Sequence, residues 1–138
     1  MMANLFSNSI SKSFNCFKVT GIFTLRPYIA TKKLDQNISE ENIFETLLDM
    51  LSEFNFVKDR QILSENIHKN HKSFSPKIAD KLFMFHSKSS GVKDFCAALL
   101  QLPDGNLYGM YAWPENTHKN LNKISKLYEH LEYFQQKG

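Results

Sequence analysis

Three stretches of the chain repeat apolar residues at the spacing of an amphipathic helix. The first can be capped by Asn37 or Ser39, and the acidic Glu40 and Glu41 then lie in its first turn, where they suit the helix dipole. A shorter helix is predicted from about Asp59. The predicted apolar positions are Ile43, Phe44, Leu47, Leu48, Leu51 and Phe54 in the first helix, and Ile62, Leu63 and Ile67 in the second.

The third helix is predicted near the end of the chain. Pro114 ends a strand, and Glu115-Asn116-Thr117 then opens this helix. Its predicted core stripe consists of Leu121, Ile124, Leu127, Tyr128, Leu131 and Phe134.

Between the second and third helices the apolar runs are short and bounded by turn residues, which is typical of strands. A buried strand is predicted over residues 82–85, followed by a loop over residues 87–91. Residues 95–102 and 107–113 flank the turn residues 103–106 and predict a β-hairpin. The polar, basic segment 68–81 is predicted to be a loop. Helices on both sides of central strands indicate an α/β (α+β) fold, a small mixed sheet flanked by helices.

The beginning of the chain allows two interpretations. Residues 1–23 contain Lys12 and Lys18, several serines and no acidic residue, a composition shared with mitochondrial targeting sequences. The interpretation that we prefer is a short helix followed by a strand around Phe17–Phe23, which Arg26-Pro27 then ends. No apolar run reaches about 18 residues, so no membrane span is predicted.

Composition restricts the classes of partner. A chain of 138 residues with 42% hydrophobic residues is long enough for one compact domain with its own core. Seventeen basic and fourteen acidic residues give a formal net charge of +3, which is too small and too scattered for a nucleic-acid surface. Only Arg26 and Arg60 are arginines, the residue that best reads phosphates and guanine. We therefore predict no nucleic-acid partner.

His86 is the leading candidate for a functional residue. It follows the predicted strand 82–85 and precedes the polar segment 87–91, so its imidazole is expected to be held by a rigid element and to reach solvent. Binding and catalytic side chains are commonly placed in this way. The ordinary alternative is a histidine that merely follows a strand.

Two other constellations carry less weight. His68 and His71 could share one side of a helical turn, but no Cys, Asp or Glu lies close enough in sequence to complete a metal site. Cys96 lies in an apolar run, where burial would raise the pKa of its thiol, so a catalytic pair with His86 is disfavoured. Neither a metal nor a cofactor is predicted. The remaining cluster is predicted to pack within the sheet: Tyr108, Tyr111 and Trp113.

The order of the elements and three short motifs match one pattern. A large helix lies at Glu41–Leu51, Phe85-His86-Ser87-Lys88 follows a strand, and the apolar run Tyr108–Pro114 is followed by Glu115. This pattern resembles the EIIA domains of the fructose and nitrogen-related bacterial phosphotransferase systems. Those domains have a Pro-His-(Ala/Gly)-Lys motif where this chain has Phe85-His86-Ser87-Lys88. We expect one EIIA-like domain over residues 1–138, best matched from residue 37 and divergent over residues 1–36.

The resemblance implies a phosphocarrier. His86 would accept a phosphoryl group from a histidine-phosphorylated carrier protein and pass it on, or use it as a regulatory signal. Ser87 and Lys88 would bind the phosphate through a hydroxyl and a cation, and His118 is a possible helper. The implied partners are a phosphocarrier protein and regulated protein targets, and the implied location is the cytoplasm.

The chain departs from the family pattern at several places, and Phe85 stands where the family motif has its proline. The segment 75–81 contains no glycine, whereas the family has a glycine-rich loop there, which lets backbone N–H groups approach a phosphate. Asn70 occupies the position of the family's phosphoryl-pairing arginine. Asn120 occupies the position of its helper histidine. The alternative prediction is therefore a degenerate EIIA-like fold that serves as a non-enzymatic protein-interaction or assembly module.

Overall fold

The computed structural model describes residues 27–137, with side chains described as far as Glu132. The predicted helix and strand before Phe23 lie outside these residues. The described elements, in chain order, are β1 (Ile29–Lys33), α1 (Glu40–Ser52), α2 (Arg60–Asn70), β2 (Lys77–Ala79), β3 (Leu82–Ser89), β4 (Cys96–Gln101), β5 (Leu107–Pro114) and α3 (Leu121–Lys137).

The strands form one mixed sheet in the order β1-β4-β5-β3-β2. The predicted hairpin is confirmed, because β4 and β5 pair antiparallel across a turn in which Gly105 adopts a φ of 91°, a value that favours glycine. β1 pairs parallel with β4, and β3 pairs parallel with β5. The strand β2 pairs only with Leu82 and Phe83 at the start of β3. Among residues 27–137, no strand pairs with the outer side of the rest of β3.

The helices cover both faces of this sheet. Side chains alternate between faces along a strand. Phe83 and Phe85 of β3 pack into the apolar cluster that contains the core residues of α1 and α2. Met84 packs into a second cluster, which contains Leu127 and Leu131 of α3. The predicted α/β fold with a mixed sheet flanked by helices is confirmed.

The first two helices begin where they were predicted, α1 after its cap Ser39 and α2 after Asp59. The Ser39 hydroxyl accepts a hydrogen bond from the backbone N–H of Asn42, and the Asp59 carboxylate accepts one from the N–H of Ile62. Each bond satisfies an N–H group that the helix itself leaves without a partner.

The third helix begins later than predicted. Thr117 closes a turn on Pro114 through both its backbone N–H and its hydroxyl, so residues 115–117 are not helical. The side-chain oxygen of Asn120 instead accepts the N–H of Lys123 and caps α3. The predicted core stripe is wrong at Leu121, which is 70% exposed, and at Tyr128, which is 37% exposed. Leu127 and Leu131 are buried as predicted, Ile124 is half-buried, and the side chain of Phe134 lies outside the described residues.

Two predicted loops contain regular structure. The segment after His86 is not a loop, because β3 continues to Ser89 and stays paired with β5 up to Pro114. Its polar residues misled the prediction, although Ser87 and Ser89 are both buried. The segment 68–81 contains the last turn of α2 and the short strand β2. His86 therefore lies within a strand, not after one.

We expect replacement of Leu127 by alanine to destabilise the protein much more than the same change at Leu121. Leu127 is fully buried against the sheet, and removal of a core leucine side chain costs about 2–5 kcal/mol. Leu121 is exposed, so its replacement should change the free energy of unfolding by less than about 0.5 kcal/mol. Urea denaturation of the two variants measures both values, and equal losses would contradict the position assigned to α3.

Candidate functional site

The ring of His86 lies on the face of the sheet that α3 covers. It stacks on Tyr111, the paired residue of β5, with 5.2 Å between ring centroids and 14° between ring planes. The Trp113 ring lies 6.3 Å away in a similar orientation, and the His71 ring meets it edge-on at 5.2 Å. His86 is half-buried. Its imidazole is therefore held by aromatic neighbours and remains accessible from solvent.

The backbone of His86 is held by the end of α2. Its N–H donates to Nε2 of His71 at 2.9 Å, and its carbonyl accepts from the side-chain amide of Asn70 at 2.6 Å. Two residues earlier, the N–H of Met84 still donates to a backbone carbonyl, that of Pro76. Asn70 and His71 thus replace a neighbouring strand where β2 no longer reaches. We call these two side chains the edge clasp.

The edge clasp fixes the tautomer of His71. Nε2 accepts a hydrogen bond from a backbone N–H, so it must be unprotonated, and the proton lies on Nδ1, 2.8 Å from the carbonyl oxygen of Phe74. Both ring nitrogens are thereby occupied, which leaves His71 no lone pair for a metal. His68 stacks on Phe44. Within residues 27–137, no group of three His, Cys, Asp or Glu side chains converges as a metal site would require.

The surroundings of His86 keep its ring neutral. Burial lowers the pKa of His86 from 6.5 to about 4, with further contributions from His71 and from the ammonium group of Lys119. Among the described residues, no side chain hydrogen-bonds to either of its ring nitrogens. At neutral pH the ring therefore offers an unprotonated nitrogen, which is the nucleophilic form of imidazole.

The structure separates the side chains that were predicted to assist His86. Ser87 points to the opposite face of the sheet, is 8% exposed, and donates its hydroxyl to the carbonyl of Lys88 at 2.7 Å. Lys88 is exposed and lies on the same face as His86, two residues further along β3. His118 is exposed in the connection 115–120 between β5 and α3. Of the predicted phosphate ligands, only Lys88 shares the face of the imidazole.

Several site residues were not identified from the sequence. Asn70 and His71 reach His86 only through the placement of the α2 terminus, which no local signal reveals. Tyr111 and Trp113 were predicted to pack within the sheet and do so, being 4% and 9% exposed, but they also stack on His86. The Nζ of Lys119 lies 5.3 Å from the centre of the Trp113 ring. In the sequence, Lys119 is distinguished only as a basic residue just before the last helix.

The disfavoured pair of Cys96 and His86 does not form. Cys96 belongs to the buried cluster on the α1 and α2 face, and the His86 ring lies on the other face. Burial raises the pKa of the Cys96 thiol to about 12, which makes it unreactive.

Among the described residues, the candidate site lies at an open edge of the sheet. Two surface cavities of about 390 Å³ each occur elsewhere, and His86 lines neither of them. One lies on the other face of β3, between Phe83, Phe85 and the start of α1. The other lies beyond the ends of β3 and β5, next to Pro114. An open site of this kind suits a group delivered by another protein better than a buried small-molecule substrate.

Residues 30–133 match the model of the phosphoenolpyruvate-dependent sugar phosphotransferase system family EIIA 2. The match covers most of the chain, which therefore belongs to this family. The predicted resemblance to EIIA domains is confirmed.

A solved structure shows the same fold. The crystal structure of nitrogen regulatory protein IIA-Ntr from Neisseria meningitidis superposes with a TM-score of 0.50 over 80% of this chain and 75% of that one, at 20% sequence identity. No curated protein gives a significant match to the sequence. Among the helices of residues 27–137, none is both long and apolar enough to cross a membrane.

The lowered pKa of His86 predicts a specific pH dependence of stability. Between the unfolded pKa of 6.5 and the folded pKa of about 4, the unfolded chain binds a proton that the folded chain does not. The free energy of unfolding should therefore fall as the pH is lowered through this window. Urea unfolding of wild type and His86→Gln measures the effect, and the variant should lose less stability. Identical pH profiles would contradict the low pKa.

The edge clasp predicts a local change in backbone protection. In His71→Ala the half-buried N–H of His86 loses its acceptor, which should cost about 1–3 kcal/mol. Amide hydrogen exchange should accelerate at His86 and remain slow at Met84, whose N–H donates to Pro76. Lys72→Ala, an exposed change one residue later, serves as the control. Unchanged exchange at His86 would show that His71 does not hold this edge.

Proposed function

We propose that the protein is a phosphohistidine carrier or regulator of a phosphotransferase system, with His86 as the residue that accepts the phosphoryl group. The observation that carries this proposal is the state of the imidazole, which is neutral, fixed by its aromatic neighbours and open to solvent. Membership of the EIIA 2 family supports it.

The site suits in-line transfer from one imidazole to another. The unprotonated nitrogen of His86 forms a bond to phosphorus as the N–P bond of the phosphorylated carrier protein breaks. The carrier's ring, protonated at its other nitrogen, leaves as neutral imidazole, and the phosphorylated His86 ring releases its own N–H proton to water. No further acid or base is required, so the main task of the protein is to position the ring and to offset the charge of the phosphate.

The surroundings of His86 also suit a protein as the phosphoryl donor. Leu121 and Tyr128 are exposed apolar side chains on α3, which packs on the same face of the sheet as His86. The Tyr128 hydroxyl bonds to that of Tyr111, on which His86 stacks. Apolar surface beside an open nucleophile is what a docking carrier protein would cover. We expect this exchange to take place in the cytoplasm, together with regulated protein targets.

One observation favours a second candidate, a protein-interaction module that has lost phosphoryl transfer. Asn70 stands where the family has its phosphoryl-pairing arginine, and its amide is already engaged by the carbonyl of His86. Ser87 is turned to the other face of the sheet. The phosphate would therefore lack two expected ligands, while the fold and its exposed surface are preserved.

Incubation with phosphoenolpyruvate and the two general phosphotransferase proteins distinguishes the two candidates. The first candidate predicts an acid-labile, base-stable phosphate on the wild type and none on His86→Ala. His118→Ala provides a second comparison, because slower labelling of that variant would assign His118 the predicted helper role.

Two results would reject the carrier function. One is the absence of label when the upstream proteins phosphorylate a known acceptor in the same tube. The other is equal labelling of wild type and His86→Ala. Either result would leave the interaction module as the function that fits the chain.

A further inference from the structure

A phosphoryl group on His86 needs a positive charge that the family arginine would normally supply. Such a group carries about two negative charges at neutral pH. The position of that arginine holds Asn70, which is neutral and bonded to the backbone. Arg60, the one arginine among residues 27–137, pairs with Glu45 and Asp49 where α1 and α2 meet. Among residues 27–137, the permanent cations that remain are therefore lysines.

The lysines near this face differ in their availability. Lys123 forms an ion pair with Asp94 at 3.5 Å and lies over the ring of Tyr28, away from His86. Lys119 lies over Trp113, which itself stacks near His86, and it forms no ion pair with any residue of 27–137. Its ammonium group thus borders the aromatic cluster that contains the imidazole, and no carboxylate of the described residues neutralises it.

We propose that Lys119, held over Trp113, is the cation that binds the phosphoryl group on His86 and so replaces the missing arginine. This inference deepens the proposed function and rests on it. Lys119 acts as a point charge without the planar fork of arginine, so it attracts the phosphate without fixing its rotation. Lys88, exposed on the same face two residues along β3, can add further positive charge.

The contact with Trp113 suits this role. The face of an indole ring attracts an ammonium group without cancelling its charge, so the side chain is positioned and still able to pair with an anion. The same side chain already acts on the imidazole, because the charge of Lys119 contributes to the lowered pKa of His86. The positive charge of Lys119 disfavours a proton on the ring, and for the same reason it favours a doubly negative phosphoryl group attached to the ring. The contact with Trp113 and the effect on the pKa of His86 therefore both support Lys119 as the phosphate-binding cation.

The test uses the full chain and a small phosphoryl donor, phosphoramidate. The imidazole nitrogen of His86 forms the new N–P bond, the P–N bond to ammonia breaks, and the released ammonia takes up the proton that the ring loses. We expect Lys119→Gln to be labelled at His86 about tenfold more slowly than wild type, and Lys119→Arg to recover most of the rate. Lys126→Gln is the matched control, since Lys126 lies on α3 and contacts Glu129.

A second measurement does not depend on phosphoryl transfer. Inorganic phosphate is titrated into the same variants while the ring signals of His86 are followed by NMR. We expect phosphate to bind near His86 in wild type, several-fold more weakly in Lys119→Gln, and unchanged in Lys126→Gln. The pKa of His86 should also rise in Lys119→Gln, because one repelling charge is removed.

The outcomes separate this inference from the proposed function. Label on His86 at the wild-type rate in Lys119→Gln would overturn the role of Lys119 and leave the carrier function intact. If wild type takes label neither from phosphoramidate nor from the upstream phosphotransferase proteins, the carrier function fails. The phosphate titration then tests Lys119 by itself. Weaker phosphate binding in Lys119→Gln than in wild type supports Lys119 as the anion-binding residue, and equal binding overturns that role.

Discussion

The structure around the candidate site depends on the uncovered edge of β3. Strand β2 has three residues and β3 has eight, so β2 covers only the beginning of its neighbour. Backbone N–H and C=O groups left without partners in a half-buried position cost free energy. The side chains of Asn70 and His71 supply these partners at His86. The clasp lets the strand continue, with His86 inside it, beyond the point where β2 ends.

The same arrangement determines the chemistry that remains possible. Because the clasp fixes the backbone of His86 and Tyr111 supports its ring, the imidazole has a defined direction. Burial against these rings keeps it neutral and so nucleophilic. The arrangement also uses Asn70, whose amide is bonded to the backbone of His86 and is not available to a phosphate. A carrier built in this way must draw its positive charge from another element, and Lys119 is the lysine that the geometry makes available.

The sequence predicted those parts of the fold that depend on a few neighbouring residues. The cap at Ser39, the start of α2 near Asp59 and the hairpin turn at residues 103–106 each depend on a few adjacent residues, and all three were confirmed. The end of β3 was predicted wrongly because Ser87 and Lys88 are polar, although their backbone is paired with β5. The edge clasp could not be predicted, since it joins α2 to β3 across a segment of irregular structure. His86 itself was identified from its place after an apolar run and then from its resemblance to a family motif, whereas its neutral state depends on contacts that only the fold creates.

The most direct test of this account is the protonation of two imidazole rings. Nitrogen-15 NMR of selectively labelled histidine at neutral pH distinguishes protonated from unprotonated ring nitrogens. The account predicts that His71 carries its proton on Nδ1, with Nε2 accepting the N–H of His86, and that His86 is neutral with one unprotonated nitrogen. A proton on Nε2 of His71 would contradict the edge clasp, and a doubly protonated His86 would contradict the nucleophilic state of the site.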